Sequence, residues 1–363
     1  MINKLQSLFD KRIISINEAP LCGVSSINNR IALGHNGIYR LCVDFEDGSS
    51  LDCIRKTKAK SIISNGIRLI SGKSAKFTVS MTLHKKILGY NKSCTREIML
   101  YNKLDRSLLP HIPEYYGCFY EPRKKLYSLI LRQYNCPQRE ALNVEEIRHA
   151  LDALLDFHIF YYGRDDLAKA LGLNIYSPDD YRRAKPFIRL LFHADEEENR
   201  RCFSEERLKK VDGFIDEIEK HAARFSGHRS FSHNDFTRRN LFFAEDKVLI
   251  YDFELAAFQN PEHDLIELLI HEADHLSKSE IFRLIEYHRT RLFPHAEPLR
   301  QMSRAQYIAM LLFNAYEFIA IRLSLLRIAG KVLGESFVDA LLDNADRITD
   351  YLEEEYEQTT ENT

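Results

Sequence analysis

The spacing of apolar positions changes period along this chain, and the change divides it into a strand-rich part and a helix-rich part. Residues 1 to about 20 mix apolar and charged positions and read as a leading helix or an extended lead-in. Short alternating runs follow: Ser26–Leu33 and Ile38–Phe45 are expected strands around a Gly34-His35-Asn36-Gly37 turn. Glu46-Asp47-Gly48 is a hairpin turn and Leu51–Lys56 a third strand. Residues 57–93 read as an insertion punctuated by Gly66, Gly72 and Gly89, with Ser74–Leu88 helical. Cys94–Leu104 has the spacing of an amphipathic helix, and strands at Gly117–Tyr120 and Leu126–Leu131 flank a Glu121-Pro122-Arg123 turn. Beyond these the period becomes helical. Asn143 caps a helix whose Ile147, Leu151, Leu154, Leu155 and His158 share one face, and His158 reads as a hydrogen-bonded core histidine. Residues 163–228 form a helical insert, and Ser277–Arg291, Arg304–Gly330 and Ser336–Glu357 are further helices.

One hairpin interrupts the helical part. His233-Asn234-Asp235 is followed by Asn240, which leads into Leu241-Phe242-Phe243, and after a charged turn Val248–Tyr251 delivers Asp252. A hairpin of this size brings Asp235, Asn240 and Asp252 to one cleft. Transfer of a phosphoryl group needs a carboxylate to orient and deprotonate the attacking hydroxyl, and an amide oxygen with a second carboxylate to hold magnesium on the phosphates. The spacing H-x-D-x-x-x-x-N followed by D-F-x is that of a kinase catalytic loop and metal-binding strand end, with Glu254 where protein kinases carry Gly.

These residues, with the Asn260-Pro261-Glu262-His263-Asp264-Leu265 run, resemble the aminoglycoside phosphotransferase and choline kinase superfamily. Asn234 and Glu254 look particularly like its choline and ethanolamine kinase branch. The resemblance covers about residues 24–345 and implies an α+β fold of bilobal, protein-kinase-like architecture. Residues 1–133 would form a small antiparallel-sheet nucleotide lobe, and 134–363 a larger, mostly helical lobe for catalysis and acceptor binding. It implies transfer of the γ-phosphoryl of ATP (or GTP) to a hydroxyl of a small molecule, with Asp235 as base and two Mg²⁺ sites at Asn240 and Asp252. Glu254 would hold a second metal's water or the acceptor. His233 would support the loop, and Arg238 and Arg239 would stabilise charge on the transferred group. Gly34 and Asn36 would lie in the loop over the phosphates. Strand three would present a cation to those phosphates. A small residue two positions earlier favours Arg55, with Lys56 the alternative on the other face. Glu97 would pair with that cation, and backbone groups of Gln133, Tyr134 and Asn135 would bind the adenine edge. Asp264 would brace the catalytic loop.

Composition narrows the alternatives. The net charge of -2 argues against a nucleic-acid binder, and the scattered seven cysteines against a disulfide framework or zinc ribbon. The expected compartment is a reducing cytoplasm. Tyr307–Ile328 is the most apolar segment, but Asn314, Glu317 and Arg322 interrupt it, as in a buried amphipathic helix and not a membrane span. The tail from Glu353 is acidic and expected to fray. Oligomeric state and acceptor are left open. Two rivals remain: a nucleotide-binding pseudokinase, favoured by the missing GxGxxG loop, and a zinc hydrolase. The second rests on His271-Glu272-Ala273-Asp274-His275, an H-E-x-x-H run. It would need a third ligand such as Glu297, and Lys278 stands where the metzincin pattern needs Gly.

Overall fold

A computed structural model describes residues 2–21, 37–59, 62–72, 74–105, 107, 109–134, 139–244, 247–333 and 337–361. The N-terminal lobe is built on a five-stranded antiparallel sheet of order β1-β2-β3-β5-β4. Its strands are β1 (Ile13–Pro20), β2 (Gly37–Phe45), β3 (Ser50–Ala59), β4 (Tyr115–Glu121) and β5 (Leu126–Arg132). The expected strand at 26–33 and the turn with Gly34 and Asn36 lie outside the described residues. Among the described residues the first strand comes from the lead-in and pairs with β2 from Ile13↔Phe45 to Pro20↔Tyr39.

β3 runs three residues beyond the expected Lys56, because its pairing with β5 continues through Lys58↔Tyr127 and Ala59↔Leu126. The insertion therefore begins after Ala59, not at 57. Strand alternation then sorts β3 onto two faces. Cys53 joins Leu5, Ile13, Leu41, Val43, Phe45 and Ile130 in a small core on the outer face. The inner face lies over α1 (Ser93–Lys103), whose Ile98 and Leu100 belong with Leu129 and Leu131 to the main core.

The helical lobe begins with α2 (Val144–Tyr161). Asn143 accepts from the backbone N–H of Glu145 and Glu146, and Glu146 returns a bond to Asn143 N–H, completing the capping box. Ser230–Ser232 and Ala257–Gln259 pair antiparallel as part of a small sheet, and Leu241–Phe243 pairs with Val248–Ile250 in the expected hairpin. Among the later helices that close the lobe, three bear on the site. These are α3 (Glu262–Glu272), α4 (Arg304–Glu317, a π-helical turn Phe318–Leu323, then Ser324–Leu333) and α5 (Phe337–Glu361). The segment Arg304–Lys331 is long and apolar enough to cross a membrane, yet 78% of its most apolar stretch is buried inside the lobe.

The tail does not fray at Glu353; α5 continues to Glu361. The buried Arg207 guanidinium pins it, reaching Asp346 at 2.7 Å and pairing also with Asp350 and Glu353. The basic residues of the insert face their own acids: Arg182 and Arg183 pair with Asp179, and Lys185 lies 2.7 Å from Glu219. They are ion-paired helix faces.

Candidate active site

The catalytic loop is held from below. Asp264, in the first turn of α3, is fully buried and accepts three hydrogen bonds. They come from Ser232 Oγ (2.9 Å), His233 N–H (2.7 Å) and Asn234 N–H (2.8 Å). A carboxylate here satisfies backbone donors that a left-handed turn leaves unpaired, and Asn234 takes that turn with φ 60°. Core histidines back it up: His158 Nε2 lies 3.5 Å from Asp264, and His158 Nδ1 3.1 Å from His288. Gly89 packs against the same loop with φ +75°, where a Cβ would stand 3.2 Å from Asn234 Nδ2.

His233 is itself buried, and its Nε2 meets the Tyr251 carbonyl at 2.7 Å. That bond ties the loop to the strand carrying Asp252, so the histidine braces the cleft. Asn240 Nδ2 donates to the Asp235 carbonyl (2.8 Å) and to Asp235 Oδ2 (3.0 Å). Both bonds come from the amide nitrogen, which leaves the amide oxygen as the metal ligand Asn240 can offer. Asp252 ends its strand in the left-handed region, φ 63°, which Asp tolerates better than most residues. The following Phe253 is fully buried against Tyr101, Phe157 and His233 and anchors that turn.

Across the cleft the structure turns Arg55, the favoured cation, away from Asp252. Arg55 lies on the outer face of β3, paired with Glu18 and 4.6 Å above the Tyr39 ring. The small residue that favoured it, Cys53, belongs to the outer core. The inner face carries Lys56 and Lys58 instead. Lys56 Nζ is 3.1 Å from Glu97 and 2.6 Å from Asp252. Lys58 Nζ is 2.7 Å from Glu97, 3.7 Å from Asp252, and also pairs with Glu254. Glu97 therefore meets strand-three cations as expected, but two of them. Arg96, fully buried, donates to the carbonyls of Gly89 (3.0 Å) and Glu254 (2.6 Å) and fixes both segments. At the hinge, Gln133 N–H donates to the Asp52 carbonyl at 3.1 Å, so that group belongs to the sheet. Tyr134 stacks under Arg132, and Asn135 lies outside the described residues.

With this geometry in place, comparison with known proteins identifies the chain. The family model described as "Phosphotransferase enzyme family" matches residues 84–293, more than half of the chain. The chain belongs to the phosphotransferase enzyme family. Two solved structures illustrate the shared kinase-like fold. One is a choline kinase from Cryptosporidium parvum Iowa II, at TM-score 0.57 and 12% identity over 98% of this chain and 96% of that one. The other is a Plasmodium vivax ethanolamine kinase, at TM-score 0.50 and 13% identity over 96% and 85%. Curated protein sequences gave no match.

This phosphotransferase has a residue beside Asp235 that motif reading misses. Arg322, on the π-helical turn of α4, donates from Nη2 to Asp235 Oδ1 at 2.6 Å, with Glu267 3.7 Å from its Nε. Burial pushes the Asp235 carboxyl up, but the Arg322 and Arg239 guanidiniums outweigh it and hold the group below the usual carboxylate range. The one signal in the sequence was that Asn314, Glu317 and Arg322 break the most apolar segment. All three turn inward: Asn314 donates to Asn260 (3.1 Å), Glu317 accepts from Tyr181, and Arg322 faces the loop. Arg239 is exposed and acts on Asp235 through its charge. Arg238 turns away to the His271 carbonyl (3.0 Å) and Glu272 (2.9 Å).

The zinc reading fails on the same contacts. Glu272 is buried and holds Leu142 N–H (2.9 Å) as well as Arg238. The α-helix ends at Glu272, so His275 falls in a 3₁₀ turn, off the face of His271, and pairs with Asp274 at 3.1 Å. Among the described residues, the one cluster of potential metal ligands is Glu97, Asp252 and Glu254.

Proposed function

We propose that this phosphotransferase transfers the γ-phosphoryl group of ATP (or GTP) to a hydroxyl of a small molecule, with Asp235 as the base. The observation that carries the reading is the cleft itself. Asp235 is held ionised by Arg322 and oriented by Asn240, and it faces a strand end where Asp252 meets the Lys56–Glu97 pair. The acceptor oxygen would attack the γ-phosphorus, its proton passing to Asp235 as the bond to the nucleoside diphosphate breaks. Lys56, at the outer end of the lysine pair, would contact the α- and β-phosphates. The amide oxygen of Asn240 and the carboxylate of Asp252 form a hard-oxygen donor set that fits Mg²⁺. When bound, Mg²⁺ would offset phosphate charge. The acceptor would approach the Asp235 carboxylate, and Arg322 beside it also lines a cavity of about 30 Å³ with Tyr176, Gln259, His263 and Glu317.

The test is phosphoryl transfer by purified protein with ATP or GTP and Mg²⁺ over amino alcohols, aminoglycosides and sugars. Phosphorylation of one class supports the reading. Nucleotide binding without transfer to any acceptor would make the chain a pseudokinase module.

Arg322→Met gives a narrower prediction. Without the guanidinium, the Asp235 carboxyl rises toward and above its ordinary range. The base works only when deprotonated, so activity is lost as pH falls through its pKa, and the acid limb of the kcat profile should move to higher pH. At neutral pH the carboxyl stays ionised, so the loss should be read on the acid limb, where each unit of pKa changes the ionised fraction about tenfold (about 1.4 kcal/mol). Arg322→Lys should restore part of the shift. An acid limb that stays in place would detach Arg322 from the base.

A further inference from the structure

We infer that Lys58 is a built-in cation standing where a second divalent metal would bind, so that the nucleotide complex takes one metal ion. The inference rests on the nucleotide-and-metal reading above and departs from the expectation of two Mg²⁺ sites with Glu254 as a ligand.

Glu97, Asp252 and Glu254 bring carboxylate oxygens within 4.8 Å of one another, a spacing a hard divalent cation could bridge. In this chain an ammonium already occupies that position. Lys58 is only 3% exposed, and its Nζ lies 2.7 Å from Glu97 and 3.7 Å from Asp252 while pairing with Glu254. Lys56 sits two residues earlier on the same face of β3 and is more exposed. It contacts Glu97 and Asp252. The two lysines therefore divide the work. Lys56 is placed to follow phosphates, and Lys58 neutralises the inner carboxylates.

A second Mg²⁺ at Glu254 would have to displace Lys58. That leaves a buried ammonium without its counter-charges, and burying an unpaired charge is among the costliest changes a fold can undergo. The segment cannot easily swing aside, because Arg96 holds the Glu254 carbonyl at 2.6 Å.

The test counts Mn²⁺ bound to the full chain by electron paramagnetic resonance in the presence of saturating AMP-PNP, a non-hydrolysable ATP analogue. One Mn²⁺ per nucleotide-bound chain is expected. Two would overturn the inference and leave the phosphotransferase reading intact. No nucleotide-dependent Mn²⁺ binding would instead count against that reading, and with it this inference. Lys58→Met keeps the length and removes the charge, and should admit a second Mn²⁺, whereas Lys58→Arg should still give one. A Lys58→Met protein that folds and binds one ion would show that Lys58 does not exclude the second. Should that variant fail to fold, the wild-type count decides alone.

Discussion

Asp235→Asn should lower kcat by on the order of 10²–10⁴-fold, the range that a positioned general base contributes, with nucleotide affinity unchanged. The substitution is nearly isosteric. Asn can still accept from Arg322 at one oxygen, so the loop stays braced by Asp264, which does not contact the Asp235 side chain. What disappears is the capacity to take a proton from the acceptor hydroxyl. Steady-state kinetics on the acceptor found by screening, with calorimetric titration of the nucleotide, separates the two effects. An Asn variant keeping most of its kcat would mean that the proton leaves by another route and that Asp235 serves geometry alone.

Asp252→Asn should act on the other half of the site. Asn tolerates the left-handed backbone that this position adopts at φ 63°, so the turn should survive and the lost charge can be read cleanly. Mg²⁺–nucleotide affinity should drop by at least about tenfold, since losing even a supporting partner costs a metal site that much. Turnover should fall with it. Calorimetry of Mg²⁺–ATP against the wild type gives the answer. Unaltered affinity would take Asp252 out of the metal site and leave it as the partner of Lys56 at 2.6 Å. The pair of variants also discriminates: the first should spare binding and lose chemistry, whereas the second should lose binding first.

The parts of the site legible in the sequence were those whose chemistry lies within a short span. Asp235, Asn240 and Asp252 sit on one hairpin, and the spacing needed to bring them together is fixed by two short strands. Asp264 was legible for the same reason, being only a helix start away. The cation was not, because alternation separates Arg55 from Lys56 without saying which face turns inward. That choice was made by Cys53 joining Leu41 and Val43 in the outer core. Lys58 was missed because strand ends are set by pairing with a partner, here Tyr127 and Leu126, and not by the strand's own residues. β1 went unread for a similar reason: as an edge strand with mostly exposed positions it shows no alternation. Arg322 is separated from Asp235 by 87 residues, and only the fold of α4 brings them together.

The π-turn in α4 has a consequence for how relatives of this chain should be read. Such a turn holds one residue more than the α-turn it replaces, and each residue of an α-helix advances about 100° around the axis. Loss of a single codon upstream of Arg322 within Phe318–Leu323 would rewind the helix and carry the guanidinium around to another side. The hairpin with its Asp, Asn and Asp would be untouched. Homologues with an identical loop can therefore differ in what polarises their base, and an alignment gap of one position in this helix marks the difference.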